Sequence, residues 1–157
     1  MPSSREYPER PLVGVGGVVI DDGRALLILR GSEPLKGEWS IPGGMLELGE
    51  TLVQGVEREL LEEVGMHVAV VGFIEVFDRI YFDPSETEGA RQTPRYHYVI
   101  VDFLCDRLSG DPVAGSDVTD VAWAREEDLE RFKLTETAAR ILRKSFSLDR
   151  VRRSQSA

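Results

Sequence analysis

The sequence predicts an α/β (α+β) fold in which helices cover the faces of a mixed β-sheet. Apolar runs rich in β-branched residues recur along the chain and are typical of strands. An amphipathic helix lies between them, two more helical segments follow, and no internal repeat indicates a second domain. We therefore expect a polar N-terminal arm at 1–10, one domain at 11–148, and a basic, disordered tail at 149–157.

Each element has its own signal in the sequence. The segments expected to be strands are apolar or alternate with period two, and they are 11–20, 25–30, 67–82, 95–105 and 118–124. The first two are joined by Asp21-Asp22-Gly23, which is typical of a hairpin turn. The segments expected to be helices are 52–64, 125–132 and 135–148. Residues 31–44 are rich in Gly and Pro and predict a loop, with a short extended piece at 39–41.

Composition excludes several classes of function. The formal net charge is −9, and six of the 19 basic residues lie from Arg140 onward, so the rest of the chain is strongly acidic and a poor match for nucleic-acid phosphates. No apolar run is long enough to span a bilayer, so we expect no membrane partner. Cys105 is the single cysteine, which rules out an internal disulfide and favours a cytoplasmic location.

Glutamates crowd the central helix. Glu59, Glu62 and Glu63 fall within five positions, where like charges three or four residues apart repel by about 0.2–0.5 kcal/mol per pair. A solvated acidic face would carry interleaved Lys and Arg, but Arg58 alone provides such a partner. Carboxylate oxygens are the preferred ligands of Mg²⁺. A divalent metal site therefore explains this crowding better.

The helical projection places these acids beside the buried face. Taking 100° per residue, the apolar stripe consists of Val53, Val56, Leu60 and Val64. The three glutamates border this stripe, and Gly55 lies among them, one turn before Glu59. Glycine within a helix is less stable than alanine by about 1 kcal/mol. We expect it to remove side-chain bulk next to the acids.

The spacing of these residues resembles a known family motif. From Gly44 to Met66 the chain reads G-x₅-E-x₇-R-E-L-x-E-E-x-G-M, which matches every fixed position of the Nudix box. The preceding stretch KGEWSIPGG is similar to the loop that leads into that box. The resemblance extends from about Leu12 to Leu148 and implies a Nudix-type α/β/α sandwich. It also implies hydrolysis of a nucleoside diphosphate linked to another moiety, with Mg²⁺ or Mn²⁺ as cofactor.

The resemblance assigns roles by position. Glu59 and Glu63 are the implied principal metal ligands, Glu62 adds to the cluster, and a backbone carbonyl at Gly43–Gly44 completes the shell. Glu47 lies in the loop facing the cluster and is a further ligand for a second metal ion.

The catalytic roles stay more open. Glu59 and Glu62 are implied catalytic acids, but family members differ in which acid positions or deprotonates water. Arg58 resembles the arginine that orients the box glutamates, with Glu50 as its ion-pair partner, and structural or direct catalytic roles both remain open for this pair. Asp117 is favoured over Asp120 as a further ligand or base, and the alternative is a turn residue at the start of a strand.

Substrate contacts are expected from residues outside the box. Arg30 ends a strand and would reach a phosphate, unless it is a rim charge. Arg79, Tyr96 and Tyr98 bring polar and aromatic groups onto strands, where they line a substrate cavity or occupy ordinary sheet positions. The resemblance favours ADP-ribose or a related nucleotide sugar. Nucleoside triphosphates, dinucleoside polyphosphates and a non-catalytic binding module are the alternatives, and a homodimer is compatible with the family.

Overall fold

The computed structural model of the chain describes residues 5–84 and 93–156. The elements in chain order are β1 (Leu12–Asp21), β2 (Arg24–Arg30), β3 (Trp39–Ser40), β4 (Gly43–Met45), α1 (Leu52–Val64), β5 (His67–Phe82), β6 (Pro94–Ser109), β7 (Val118–Ala124), a 3₁₀ helix (Glu126–Arg131) and α2 (Glu136–Gln155). Within these residues, no helix is both long enough and apolar enough to cross a membrane.

The strands form the predicted mixed sheet. Their order is β3-β2-β1-β6-β5, with β4 added to β1 and β7 added to β2. The β1–β6 pair is parallel and the other pairs are antiparallel. The predicted hairpin between β1 and β2 is present, and both of its turn residues, Asp22 and Gly23, have positive φ as a type I′ turn requires.

Helices pack on the two opposite faces of this sheet. Alternate residues of β1 point to different layers, so Val15 and Val19 pack with α1 while Val18 and Ile20 pack in the core beneath α2. The resulting order of layers is helix, sheet, helix, as the family resemblance implied. The paired strands β1 and β4 line a cavity that residues of both helices also line, among them Glu59 of α1 and Ile141 of α2.

The structure corrects several local predictions. The expected loop at 31–44 contains the start of β4, because residues 43–45 pair with β1 at long range. Within the predicted helix at 125–132, the structure forms a short 3₁₀ helix at Glu126–Arg131. Strand β6 runs on to Ser109 because β5 pairs along its whole length. Val53 is 41% exposed and is not part of the buried stripe of α1, whereas Gly55 is buried.

The expected disordered tail is also wrong as far as Gln155, because α2 continues through it. The basic residues are paired there: Arg152 and Arg153 both donate to Asp149, which is 5% exposed. At the other end of the chain, the part of the polar arm that the structure describes lies against β6, where the Tyr7 N–H donates to the Arg95 carbonyl oxygen over 2.8 Å.

Candidate active site

Helix α1 is fixed at both ends by its own sequence. The Thr51 side chain accepts a hydrogen bond from the Gln54 N–H, and the Gln54 side chain accepts one from the Thr51 N–H, which makes a capping box. The helix ends at Gly65, whose φ of 69° is left-handed. The observed range, Leu52–Val64, agrees with the prediction. The glutamates of the last two turns therefore have a defined direction.

Arg58 is the centre of a hydrogen-bond network with the acids. Its Nε and Nη2 donate to the two oxygens of Glu50 over 2.6 and 2.9 Å. Nη1 donates to Glu59 over 2.9 Å and to Glu62 over 3.1 Å, while Nη2 also donates to the Met45 carbonyl oxygen. The hydrogen bonds from Arg58 lower the pKa of Glu50 to about 2. One guanidinium thus orients carboxylates from α1 and from the loop before it.

Two of the acids are held in a poorly hydrated environment. Burial raises the pKa of Glu63 to about 7, against the effect of the Gly43 N–H, which donates to its carboxylate over 3.0 Å. Burial also raises the pKa of Glu59, against the effect of Arg58. A raised carboxyl pKa means that the negative form lacks compensation. A bound cation would therefore stabilise the charged forms of Glu59 and Glu63.

Glycines allow this close approach. A Cβ on Gly44 would collide with the carboxylate of Glu59, and one on Gly43 would collide with the Val15 carbonyl oxygen. Gly55 has a different role from the expected one, because a Cβ there would lie 2.8 Å from Cδ1 of Leu46. It lets α1 pack closely on the loop before it. The acid cluster is therefore shaped by Gly43 and Gly44.

A cavity of about 200 Å³ opens next to the cluster. It is lined by Glu59, Glu62, Glu63, Gly43, Gly44 and Asp117. The loop that carries Asp117 is tied to α1, because the Gly115 N–H donates to the Glu63 carbonyl oxygen over 2.8 Å. The same cavity is lined by Arg30, Arg79 and Tyr98, which come from β2, β5 and β6. Residues distant in sequence thus converge as the predictions required.

Other predicted residues lie outside the cavity wall. Tyr96 stacks on Tyr98, and its hydroxyl donates to Glu6 over 3.3 Å. Glu47 is exposed and lies 3.7 Å from Arg58. Asp120 lies within β7, and its carboxylate accepts from the Val121 N–H. The positions of Tyr96 and Glu47 thus differ from those expected of direct ligands, and Asp117 is the nearer of the two aspartates to the acids.

Sequence reasoning missed the part of the cavity that α2 and β6 form. Thr137, Ala138 and Ile141 of α2 line it, as does Asp102 of β6. Asp102 is the one charged residue in the run from Tyr98 to Cys105, and this break in an apolar strand was the available signal. The direction of its side chain depends on the register with β1, which local sequence does not encode.

The donor set fits a divalent cation that is completed by substrate. Among residues 5–84 and 93–156, no group of three or more His, Cys, Asp or Glu side chains is arranged to hold a metal ion. However, Mg²⁺ typically takes one or two carboxylates together with phosphate oxygens and waters. Glu59, Glu62 and Glu63 offer such oxygens in one cavity, and the glycine cradle around Glu59 leaves no side chain in the way.

Comparisons with known proteins agree with this geometry. The family model described as NUDIX domain matches residues 10–145. An ADP-ribose pyrophosphatase of Methanocaldococcus jannaschii is 36% identical over 107 residues, which are 68% of this chain and 57% of that protein. A MutT-like protein of Streptomyces ambofaciens is 32% identical over 90% of this chain and 81% of its own length. The crystal structure of a MutT NUDIX hydrolase from Burkholderia pseudomallei has a TM-score of 0.69 at 31% identity, and it covers 87% of this chain and 98% of that one.

Proposed function

The chain belongs to the NUDIX family, and on this premise we propose that it hydrolyses the diphosphate bond of a nucleoside diphosphate linked to another moiety. We propose ADP-ribose or a related nucleotide sugar as the substrate. The observation that carries this proposal is a single cavity that is lined by three glutamates and also by Arg30 and Arg79, neither of which forms an ion pair with a described residue. Carboxylates suit a metal cofactor, and free guanidinium groups suit phosphate.

The glutamates of α1 would hold the metal and the attacking water. Glu59 and Glu63 are the proposed principal ligands, with Glu62 and the backbone at Gly43–Gly44 beside them. A bound Mg²⁺ or Mn²⁺ supplies charge neutralisation at the phosphate oxygens and lowers the pKa of water. Arg58 keeps Glu59 and Glu62 in place through the hydrogen bonds described above.

A carboxylate that faces open solvent would position or deprotonate the water. The side chain of Glu62 is 51% exposed, and Asp117 is an exposed residue on the facing loop. Both line the cavity, so both can contact a water molecule that approaches the diphosphate. We propose Glu62 and Asp117 for this role, with Arg58 and Glu50 acting through the orientation of the cluster.

Arg30 and Arg79 would bind the diphosphate. Within the described residues, neither Arg30 nor Arg79 forms an ion pair with a carboxylate. Arg30 donates through Nε to the Pro34 carbonyl oxygen over 2.8 Å, which leaves its terminal nitrogens available. Burial and the neighbouring charge of Arg79 lower the pKa of Arg30. An anion placed between two such cations would relieve this repulsion, and a substrate diphosphate is an anion of this kind.

The nucleotide-sugar assignment draws on two further supports. The relative from Methanocaldococcus jannaschii bears the name ADP-ribose pyrophosphatase. The cavity is also lined by aromatic and aliphatic side chains. A nucleotide sugar has a second group that can pack against them, whereas a triphosphate has only its nucleoside. Cys105 is buried and free, which suits the cytoplasmic location that we also propose.

A parallel assay tests the proposal. ADP-ribose, a dinucleoside polyphosphate and the standard nucleoside triphosphates are compared by kcat/KM in millimolar Mg²⁺, with products identified by chromatography. We expect ADP-ribose to give the highest value and to yield AMP and ribose 5-phosphate. A higher value for a triphosphate, with release of pyrophosphate, would show that the substrate assignment is wrong.

The metal requirement is tested in the same assay. Excess chelator should abolish turnover, and added Mg²⁺ or Mn²⁺ should restore it. Unchanged activity in chelator would contradict the metal site. Tight nucleotide binding without turnover of any substrate would instead favour a binding module.

A further inference from the structure

The cavity has a floor made by glycines. Strand β6 directs Tyr98, Ile100 and Asp102 to one face of the sheet, because alternate residues of a strand share a face. The β1 residues paired with the last two are Gly14 and Gly16, which have no side chains. A Cβ on Gly16 would collide with the Asp102 carboxylate. Both glycines line the cavity, so their bare backbone leaves room above the sheet.

Asp102 lies in this space and makes no hydrogen bond or ion pair within the described residues. It is only 3% exposed, yet no described residue donates a hydrogen bond to its carboxylate or pairs with it. Glu75, directly opposite on β5, shows the contrast, because Arg140 and Lys144 of α2 neutralise it. Burial raises the pKa of Asp102 to about 7, against the effect of the charge of Arg79. Buried carboxyl groups are normally hydrogen-bonded, so an isolated one that lines a cavity requires an explanation.

The residues around Asp102 indicate which kind of ligand group could donate a hydrogen bond to its carboxylate. A phosphate would be repelled by the carboxylate. Sugar hydroxyls would face Phe77, Ile100 and Ile141, which line the same part of the cavity and offer no hydrogen bonds. A planar nucleobase instead places its faces against apolar and aromatic side chains and its N–H groups at its edge. The Tyr98 hydroxyl, which is buried and has no partner in the described chain, adds a second polar group in the same wall.

We propose that Asp102 is a specificity-determining residue that accepts a hydrogen bond from an N–H group of a nucleobase held between β6 and α2. The base is the nucleoside part of the substrate, so the inference rests on the proposed function. It adds a residue outside the metal-binding helix, and it makes the nucleobase, not only the diphosphate, a determinant of recognition. In the free protein the carboxylate makes no hydrogen bond with a described residue and is destabilising, and the same carboxylate makes the site selective for a base that donates to it.

Nucleotide binding tests the proposal independently of turnover. AMP is compared with purine riboside 5′-monophosphate, which lacks the exocyclic amino group, and GMP is compared with IMP, which lacks its 2-amino group. Affinities are measured by calorimetry in Mg²⁺ for the wild type, Asp102→Ala and the control Asp78→Ala, whose aspartate is exposed on β5. We expect the wild type to prefer the amino-bearing member of at least one pair by about tenfold or more.

The variants then decide the role of the carboxylate. Asp102→Ala should reduce that preference to about one, while Asp78→Ala keeps it. The melting temperature of Asp102→Ala should be unchanged or higher, since an unpaired buried carboxyl is removed. Equal weakening of both members of a pair, a preserved preference in Asp102→Ala, or no preference in the wild type would overturn the inference. A lack of ADP-ribose hydrolysis with an Asp102-dependent preference would contradict the proposed substrate alone.

Discussion

Helices α1 and α2 both combine carboxylates with arginines, but in different ratios. On α1, the single guanidinium of Arg58 serves Glu50, Glu59 and Glu62, and Glu63 has no arginine within ion-pair distance in the described residues. The negative charge of this group therefore exceeds its positive charge. Two of its carboxyls have a raised pKa as a result of burial.

At the end of α2 the charges are balanced. Asp149 is 5% exposed and accepts hydrogen bonds from both Arg152 and Arg153, the second over 2.8 Å. Arg152 also donates to Asp106 of β6 over 2.6 Å, which ties the end of the helix to the sheet. Every member of this group finds an opposite charge.

The difference separates a functional site from a structural one. A balanced group with short hydrogen bonds stabilises the position of a helix and offers nothing to a ligand. An unbalanced group at the wall of a cavity destabilises the fold locally, and a cation that binds there restores the lost stability. Substitutions on α1 should therefore affect activity more than stability, and substitutions on α2 should do the reverse.

The largest effect is expected for Glu63→Gln. The change keeps the shape of the side chain but removes a charge that the transition state uses, so kcat should fall by at least about 10²-fold. Glu57→Gln is the matched control, because Glu57 is exposed on the same helix and does not line the cavity. Near-normal turnover of a folded Glu63→Gln protein would refute the assignment of Glu63 as a principal ligand.

The next effect is expected for Arg58→Lys. A lysine keeps the charge but cannot reproduce the forked hydrogen bonds to Glu50 and the further bonds to Glu59 and Glu62. We expect kcat/KM to fall by about 10- to 100-fold, since effects of misplaced catalytic groups are of this order. Steady-state kinetics with circular dichroism as the folding control measures it. If kcat/KM stays at the wild-type value, the orientation of the acids does not depend on the guanidinium.

Asp149→Ala is expected to show the opposite behaviour. It leaves Arg152 and Arg153 without their shared partner, and removal of one member of a buried ion pair is strongly destabilising. Both arginines are partly exposed, so we expect a loss of about 2–3 kcal/mol in the free energy of unfolding. Urea denaturation measures this loss. The values of kcat and KM should stay within about twofold, and a larger change would connect α2 to catalysis.

The local parts of the fold were predictable from the sequence. The bounds of α1, its capping box and the β1–β2 turn each depend on a few adjacent residues, and the sequence contains these in full. The spacing of the acids on α1 likewise follows from helix geometry, which is why Glu59, Glu62 and Glu63 could be placed together beside the buried face before the structure was known.

The remaining parts depend on long-range pairing. Strand β4 exists because residues 43–45 meet β1, and Asp102 faces the cavity because of its register with Gly16. The end of α2 is ordered by Asp149 and Asp106, one of which lies on another element. Charge pattern alone made this helix end look like a solvated tail. Such contacts between distant segments leave no periodic signal in the local sequence.

The smallest expected effect is the pH dependence of stability, and it distinguishes the two helices without an activity assay. The pKa of Glu63 rises from an ordinary value of 4.5 to about 7 in the folded protein, so the folded state binds a proton more tightly than the unfolded state. Stability should therefore fall as pH increases between these values. From pH 5.5 to 7.5 this one carboxyl contributes a loss of up to about 2 kcal/mol.

Urea denaturation of the wild type and Glu63→Gln in chelator, at pH 5.5 and 7.5, measures this loss. Asp102, whose pKa is also raised to about 7, acts in the same direction, but it is present in both proteins and cancels in the difference. The wild type should thus lose more stability than Glu63→Gln across this interval, and Asp149→Ala should keep the wild-type dependence. Identical pH dependence in the wild type and Glu63→Gln would mean that the excess charge on α1 is already compensated in the free protein.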